Sequence, residues 1–159
     1  MTTTGPRTSV GIRRANRADL LEVYEIERES FPQPWPYAAF EQFLESSGFL
    51  VAVEGDAVDE ETVVGYVVAD TVTGHGGTIG HVKDLAVRPD RRGEGIGRTL
   101  LTRALSRLAA QGVDTVKLEV RESNRAARSL YEEFGFDLHH VVPAYYDDGE
   151  DAFVLVKDE

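Results

Sequence analysis

The stretch Arg91-Arg92-Gly93-Glu94-Gly95-Ile96-Gly97-Arg98 lies between an apolar run and a segment with helical periodicity. The preceding run, residues 82–87, predicts a strand that ends at Pro89. Apolar residues from Thr99 to Ala110 recur at the spacing of a helix. A glycine-rich turn that opens a helix leaves backbone N–H groups free at the positive end of the helix dipole. The stretch therefore predicts a site for a phosphate-bearing ligand.

Length and composition predict one folded domain over residues 1–159, with its core at about 10–157. The chain is 42% hydrophobic and 9% aromatic, which suffices for a buried core. No apolar run approaches the ~20 residues that span a bilayer, and the N-terminus does not resemble a signal peptide. We therefore expect a cytoplasmic protein that does not bind membranes. The absence of cysteine excludes disulfides and thiolate chemistry, and four scattered histidines do not suggest a metal site.

The charge balance is strongly acidic. Seventeen Lys and Arg residues against 28 Asp and Glu residues give a net charge of −11, and only three of the basic residues are lysines. This composition argues against nucleic-acid binding, which needs basic patches. Two interpretations remain open: the acidic surface attracts cationic substrates such as amines or basic protein tails, or it reflects adaptation to a high-salt cytoplasm.

Periodicity and turn signals predict a mixed α/β domain in which helices interrupt a central sheet. The first predicted helix is capped by Asn16 and has Leu20 and Leu21 among its apolar positions. The other predicted helices cover residues 37–45, 95–111 and 124–134. The predicted strands cover residues 9–14, 49–54, 62–70, 78–88, 115–121, 136–142 and 151–157, and residues 31–36 and 73–77 are predicted loops.

Two common phosphate-binding motifs do not match the glycine-rich turn. A Walker A loop ends in Gly-Lys-Ser/Thr, whereas this chain has Gly97-Arg98-Thr99 without the upstream glycine spacing. A dinucleotide-binding fingerprint follows the first strand of its domain, whereas these glycines come late in the chain.

The order Arg92-Gly93-Glu94-Gly95-Ile96-Gly97, preceded by residues 85–89, resembles the acetyl-CoA-binding motif of GNAT-family N-acetyltransferases. The second half of that signature is matched by Asn124, Ala126, residues 130–131 and residues 134–136. The resemblance implies the GNAT fold, a mostly antiparallel sheet flanked by helices in which the parallel strands 4 and 5 splay apart.

Within the family, the chain resembles the RimI-type protein N-terminal acetyltransferases, which in archaea act broadly. This resemblance is carried by residues 31–35, 118–124 and 145–152 and covers about residues 10–157. It implies transfer of acetyl from acetyl-CoA to the N-terminal α-amine of a protein, such as a ribosomal protein, by direct attack in a ternary complex. A monomer or weak dimer without a metal is expected.

The resemblance also implies which residues bind acetyl-CoA. The splayed strands would hold the pantetheine arm through their backbone, and the glycine-rich turn would hold the pyrophosphate. An N–H near Val87 would polarise the thioester carbonyl, and Asn124 would contact the cofactor while it caps the following helix. The predicted set is Leu85, Ala86, Val87, Gly93, Glu94, Gly95, Ile96, Gly97, Arg98 and Asn124.

Glu119 and Tyr131 match the family's general base and general acid. Alternation along the strand turns Glu119 away from the apolar face, as for an ordinary solvent-facing carboxylate. The family position implies instead that Glu119 removes a proton from the substrate ammonium. Tyr131 is either a packing aromatic or, as the resemblance implies, the donor of a proton to the departing CoA thiolate.

Four aromatic residues are predicted to bind the acceptor: Phe31, Trp35, Tyr145 and Tyr146. In the family, the proline-rich loop lines the peptide entrance and the tyrosines close over the first residues of the peptide, although packing is an alternative for both tyrosines. His81, on the strand that would flank the acetyl group, is either a substrate contact or, as is more frequent, a satisfied polar residue, and the predicted site does not include it.

Two other functions fit the same residues. The fold does not determine the acceptor, so a small-amine or lysine side-chain acetyltransferase is compatible with the sequence. A non-catalytic acyl-CoA-sensing module would keep the glycine-rich turn but would not need Glu119, Tyr131 and the tyrosine pair together.

Overall fold

The computed structural model describes residues 10–55 and 60–158, and within them seven strands form one sheet. The strands are β1 (Val10–Arg14), β2 (Gly48–Glu54), β3 (Thr62–Gly74), β4 (Gly77–Val87), β5 (Thr115–Arg121), β6 (Asp137–Val142) and β7 (Ala152–Asp158). Their order across the sheet is β1-β2-β3-β4-β5-β7-β6. Only β4 and β5 run parallel to each other among these strands.

Four α-helices flank the described sheet: α1 (Leu20–Ser30), α2 (Tyr37–Glu41), α3 (Ile96–Ala110) and α4 (Arg125–Glu133). Short 3₁₀ turns precede α1 and α3, and Asn16 caps the first of them by accepting a hydrogen bond from the N–H of Ala18 at 3.0 Å. In the part of the chain described, no helix combines the length and apolar character needed to cross a membrane.

The sheet is buried on both faces in its central strands. Alternate residues of β2 enter different clusters: Leu50 and Ala52 pack toward α3, whereas Phe49, Val51 and Val53 pack toward α1 and α2. This double burial explains why β2 is a nearly continuous apolar run. The sheet therefore separates two layers, and a ligand passage between the layers must cross it.

A β-bulge interrupts the alternation in β4. Consecutive residues of β3 pair with Val82 and Asp84, so Lys83 is an extra residue in its strand. Val82 packs in the cluster on the α3 side, whereas Lys83 lies over the ring of Phe43 and Asp84 contacts the hydroxyl of Tyr66, both on the α1 side. The bulge therefore places two consecutive side chains on the same face of the sheet.

The parallel strands β4 and β5 pair over only three positions. Gly80–Val82 lies opposite Val116–Leu118, and beyond these residues both strands continue without pairing to each other. The predicted pair of splayed parallel strands is confirmed, and with it the predicted fold class. Backbone N–H and C=O groups on the facing edges lack ladder partners beyond this point.

The predicted loop at residues 73–77 is wrong. β3 extends to Gly74 and β4 begins at Gly77, so the two strands form a long hairpin with a two-residue turn. A hydrogen bond of 2.9 Å between the hydroxyls of Thr73 and Thr78 joins the strand ends across the turn. The small residues of 73–77 predicted that the strand would end before residue 73, but cross-strand pairing extends both strands almost to the turn.

Two predictions about helices also need correction. The helix predicted over residues 37–45 ends at Glu41, and hydrogen-bonded turns follow it. Leu21 is 61% exposed rather than part of the core, because Leu20, Val23 and Ile26 occupy the buried face of α1.

Gly48 tests the packing of β2 against β3. A Cβ at this position would lie 2.3 Å from the backbone oxygen of Ala69, its partner in the ladder. We predict that Gly48→Ala lowers the free energy of unfolding by about 1–3 kcal/mol, measured by urea denaturation. The control is Gly11→Ala in the edge strand β1, where a Cβ meets nothing within 4 Å. Equal losses in both variants would contradict the prediction.

Candidate active site

A groove of about 590 Å³ runs along the glycine-rich turn at the start of α3. We call it the glycine-turn groove. Every residue predicted to bind acetyl-CoA except Glu94 lines it: Leu85, Ala86, Val87, Gly93, Gly95, Ile96, Gly97, Arg98 and Asn124. The carboxylate of Glu94 instead pairs with Arg91 at 3.0 Å. Asn124 caps α4, as expected, by accepting a hydrogen bond from the N–H of Ala127 at 3.2 Å.

The backbone of the turn requires glycine at two positions. Gly93 has a φ of +82° and Gly95 a φ of +86°, a region that other residues adopt only with strain. The first hydrogen bond of α3 runs from the N–H of Thr99 to the carbonyl of Gly95 at 3.0 Å. The N–H groups of residues 96–98 therefore have no partner within the helix and are free to bind an anion.

Four arginines and two glutamates line the glycine-turn groove, and three of these arginines are paired with carboxylates. Arg98 pairs with Glu133 at 2.8 Å. Arg92 instead donates to the carbonyl of Val87 at 3.0 Å and to the hydroxyl of Ser30 at 3.1 Å. Within residues 10–55 and 60–158, Arg92 pairs with no carboxylate, so its charge remains available to an anionic ligand.

The groove continues into a cleft of about 130 Å³ where β4 and β5 diverge. We call this space the strand cleft, and Leu85, Glu119 and Tyr131 all line it. The N–H of Arg88 donates to Val64 on β3 at 2.9 Å. Because successive residues of a strand turn their backbone groups to opposite edges, the N–H of Val87 faces the side from which β5 has diverged.

A second cavity, of about 350 Å³, lies on the α1 side of the sheet. We call it the tyrosine cavity. It shares Trp35, Lys83, Glu119 and Tyr146 with the strand cleft, and its lining is Trp35, Pro36, Ala39, Phe43, His81, Lys83, Glu119, Tyr145 and Tyr146. Phe31, predicted beside Trp35, lines the strand cleft and the glycine-turn groove instead.

Glu119 is held by two basic side chains. Its Oε1 lies 2.7 Å from Nε2 of His81, and its Oε2 lies 3.4 Å from Nζ of Lys117. Burial opposes ionisation of Glu119, but the hydrogen bond and charge of His81 and the charge of Lys117 outweigh it and lower the pKa. With 16% of its side chain exposed, Glu119 is not an ordinary solvent-facing carboxylate.

His81 is a satisfied polar residue, as expected, and its partner is a residue of the candidate site. His81 lines the tyrosine cavity and hydrogen-bonds to Glu119. The two residues are 38 positions apart in the chain, and they meet because His81 lies opposite Lys117 in the parallel ladder of β4 and β5. The sequence contains no local signal for this pairing, since it depends on the register between two strands separated by α3.

Tyr131 is buried at the floor of the strand cleft, with its ring edge-on to Phe136 at a centroid distance of 5.7 Å. Its hydroxyl forms no hydrogen bond with any described residue. Burial raises its pKa well above the ordinary value for tyrosine. The phenol therefore stays protonated at neutral pH and is available to a ligand in the cleft.

The two predicted tyrosines lie on the connection between β6 and β7. Tyr145 is 50% exposed and meets Tyr146 edge-on at 5.0 Å. Tyr146 lies 4.0 Å from the guanidinium of Arg121, which Glu150 holds through a bond of 2.8 Å. Burial raises the pKa of Tyr146 to about 12. The connection is thus anchored to β5, with Tyr146 on the wall of the tyrosine cavity.

Sequence reasoning missed a buried acidic cluster next to Tyr131. Glu27, buried in α1, accepts a hydrogen bond from the hydroxyl of Tyr66 and another from the N–H of Trp35 at 2.9 Å. The Tyr66 hydroxyl also lies 3.2 Å from Oδ2 of Asp84. Two buried carboxyls therefore lie around one hydroxyl proton. Burial and the neighbouring Glu27 raise the pKa of Asp84 accordingly.

Comparison with known proteins identifies relatives over most of the chain. The model of the acetyltransferase (GNAT) family matches residues 20–136. An uncharacterized N-acetyltransferase of Methanocaldococcus jannaschii is 35% identical and covers 92% of this chain and 90% of its own length. An N-alpha-acetyltransferase of Saccharolobus solfataricus is 31% identical, with coverages of 92% and 91%. The structure of the ribosomal-protein-S18-alanine N-acetyltransferase from Escherichia coli is 28% identical, with a TM-score of 0.77 and 94% coverage of both chains.

The acidic cluster predicts how stability depends on pH. The unfolded state ionises Asp84 near its ordinary pKa of ~3.9, whereas the folded state keeps it protonated to higher pH, so stability is lost as pH rises above that value. Asp84→Asn retains an acceptor for Leu85 and a donor for Tyr66 without this loss. We expect its Tm to exceed the wild-type Tm at pH 7 by a few degrees, with the difference closing toward pH 4.

Thermal melts from pH 4 to pH 8 measure this effect. The control is Asp70→Asn, because among the described residues the Asp70 side chain accepts a hydrogen bond only from the neighbouring N–H of Thr71. A Tm difference between Asp84→Asn and wild type that does not change with pH would show that Asp84 is ionised in the folded protein.

Proposed function

This chain belongs to the acetyltransferase (GNAT) family, and we propose that it transfers the acetyl group of acetyl-CoA to the N-terminal α-amine of proteins. The observation that carries the proposal is a series of three adjoining spaces on the two faces of the sheet. The strand cleft shares Leu85 and Asn124 with the glycine-turn groove, and it shares Glu119 and Tyr146 with the tyrosine cavity on the other face. A donor and an acceptor entering from opposite faces would meet between Glu119 and Tyr131.

Acetyl-CoA supplies the acetyl group as a thioester. The glycine-turn groove has the features that bind such a ligand. Free N–H groups at the start of α3 suit a pyrophosphate, and the unpaired charge of Arg92 adds to them. Its volume of about 590 Å³ falls within the usual range of ligand pockets. The edge of β4 from Leu85 to Val87 offers backbone groups to the amides of the pantetheine arm, as to an added strand.

Glu119 is the proposed acceptor of the proton from the substrate ammonium, directly or through water. Its lowered pKa keeps it ionised at neutral pH, and His81 fixes its orientation. An α-amino group with a pKa near ~8 reaches the reactive neutral form far more readily than a lysine side chain near ~10.4. A weakly basic carboxylate therefore suits an N-terminal amine as the acceptor.

The remaining steps use Val87 and Tyr131. As the amine attacks the thioester carbonyl, the new C–N bond forms and the C–S bond breaks. The N–H of Val87 is proposed to stabilise the charge that develops on the carbonyl oxygen. Tyr131 is proposed to give its proton to the departing thiolate. Transfer is direct, since the chain has no cysteine to carry an acyl group.

The relatives support a protein N-terminus as the acceptor. One carries the name N-alpha-acetyltransferase, and another acts on an alanine of ribosomal protein S18, so a ribosomal protein is one candidate acceptor and the cytoplasm the proposed location. Phe31, Trp35, Tyr145 and Tyr146 are proposed to contact the first residues of the acceptor. Acetylation of small amines or lysine side chains is the alternative activity on the same fold.

Acetylation assays on matched peptides test the proposal. One peptide has a free α-amine and no lysine, and the other has a blocked α-amine and one lysine. We expect mass spectrometry to find acetylation on the free α-amine, and kcat/KM to fall on the order of 10- to 100-fold in Glu119→Gln and Tyr131→Phe. Acetylation confined to the lysine peptide would overturn the proposed acceptor.

Surface substitutions of the same chemistry serve as controls. Glu122→Gln removes an exposed carboxylate beyond the end of β5, and Tyr24→Phe changes a tyrosine of α1 that packs against Tyr37. Both are expected to retain wild-type rates. If Glu119→Gln and Tyr131→Phe retain them too, neither residue takes part in proton transfer.

A substitution at Gly97 tests acetyl-CoA binding without disturbing the fold. Its φ is not positive, and a Cβ there would make ordinary contacts of 3.7 Å with Val87 and 3.8 Å with Leu130. We predict that Gly97→Ala retains or raises the Tm, because alanine favours a helix. Its added methyl group in the groove is expected to weaken acetyl-CoA binding by roughly tenfold, measured by calorimetry. Unchanged affinity would show that the phosphates lie elsewhere.

A further inference from the structure

The three lysines of the chain are unevenly placed. In a protein with 28 acidic residues, Lys83 and Lys117 both lie beside the His81–Glu119 pair, and only Lys157 lies elsewhere in the sheet. Lys117 is paired with Glu119. Lys83 differs from it, because its ammonium contacts an imidazole and an aromatic ring rather than a carboxylate.

Lys83, on the same face of β4 as His81, lines the tyrosine cavity. Its Nζ lies 3.2 Å from Nδ1 of His81 and 5.6 Å from the centre of the Phe43 ring, and the residue lines both the cavity and the strand cleft. In residues 10–55 and 60–158, Lys83 forms no ion pair. Arg121, the other cation of the strand cleft, is already paired with Asp148 and Glu150.

The tyrosine cavity therefore presents two opposite charges to one ligand. Glu119 offers a carboxylate to an ammonium, and Lys83 offers an ammonium that has no carboxylate of its own. A partly buried cation gains from a counter-charge, and like charges at a binding site disfavour a ligand strongly. The complementary ligand carries a positive amine and, within a residue or two, a negative side chain.

Resting on the proposed function, we infer that this enzyme selects protein N-termini with Asp or Glu among their first two residues, and that Lys83 is the selecting residue. N-termini with a basic side chain at these positions are poorer substrates, because they place a second cation beside Lys83. Neutral N-termini remain substrates, because the amine and the aromatic walls are contacted without Lys83. The acidic outer surface does not oppose this selection, since short-range contact within the cavity outweighs screened surface charge.

The test compares peptides that differ in one charge at nearly constant shape. Pairs carry Asp or Asn, and Glu or Gln, at the first or the second residue of an otherwise neutral peptide. We expect wild-type kcat/KM to be about five-fold higher for the acidic member of at least one pair. Lys83→Met keeps an unbranched apolar stem over Phe43 and is expected to lower that ratio to about one.

Charge reversal provides the second arm. Lys83→Glu is expected to invert the preference, so that a Lys-containing peptide becomes a better substrate than its Asp counterpart. The control is Lys157→Met in β7, which removes a lysine remote from the tyrosine cavity and is expected to retain the wild-type ratio. Thermal melts and acetyl-CoA binding confirm that each variant is folded.

The possible outcomes separate this inference from the proposed function. Wild-type enzyme that acetylates no α-amine, neutral or acidic, contradicts the proposed function itself. Wild-type enzyme that acetylates neutral and acidic peptides equally leaves that function intact and overturns only the selection by Lys83. A preference for acidic peptides that persists in Lys83→Met and Lys83→Glu assigns the selection to another residue and likewise overturns the inference.

Discussion

The β-bulge at Lys83 is the constraint on which the rest of the site depends. It directly follows Val82, the last residue of β4 that pairs with β5, and a bulge bends its strand. Beyond it the two strands diverge and their facing backbone groups lose partners. The opening lies between the two faces of a sheet whose central strands are covered by apolar side chains on both sides. The glycine-turn groove and the tyrosine cavity therefore both adjoin the strand cleft at this point.

The same bulge distributes charge around the passage. It brings Asp84 to the cluster with Glu27 and Tyr66, where a proton is retained, and it brings Lys83 to the pair of His81 and Glu119. Burial beside this cluster raises the pKa of the Tyr131 phenol. Groups that favour a protonated Tyr131 and an ionised Glu119 thus lie on adjacent parts of one cleft, as acid and base roles require.

Local patterns accounted for much of the fold and of the glycine-turn groove. The glycine-rich turn, the apolar runs of the central strands and the cap at Asn124 act over a few residues, so spacing alone predicted them. The exceptions have a common cause. Each exception depends on what the segment packs against: the long hairpin in place of the loop at residues 73–77, the short α2 and the exposed Leu21. Local propensity does not depend on distant partners, so it could not predict them.

By itself, the sequence determined the class of the fold, the glycine-rich turn before α3 and the identity of Glu119 and Tyr131 as candidates for proton transfer. Only the tertiary structure decided that His81 contacts Glu119, that Glu27 and Asp84 share a buried cluster, and that Lys83 faces the tyrosine cavity. The reason is geometric. Strand alternation assigns residues 83 and 84 to opposite faces, and one inserted residue in the ladder, which no local pattern reveals, places both on the same face.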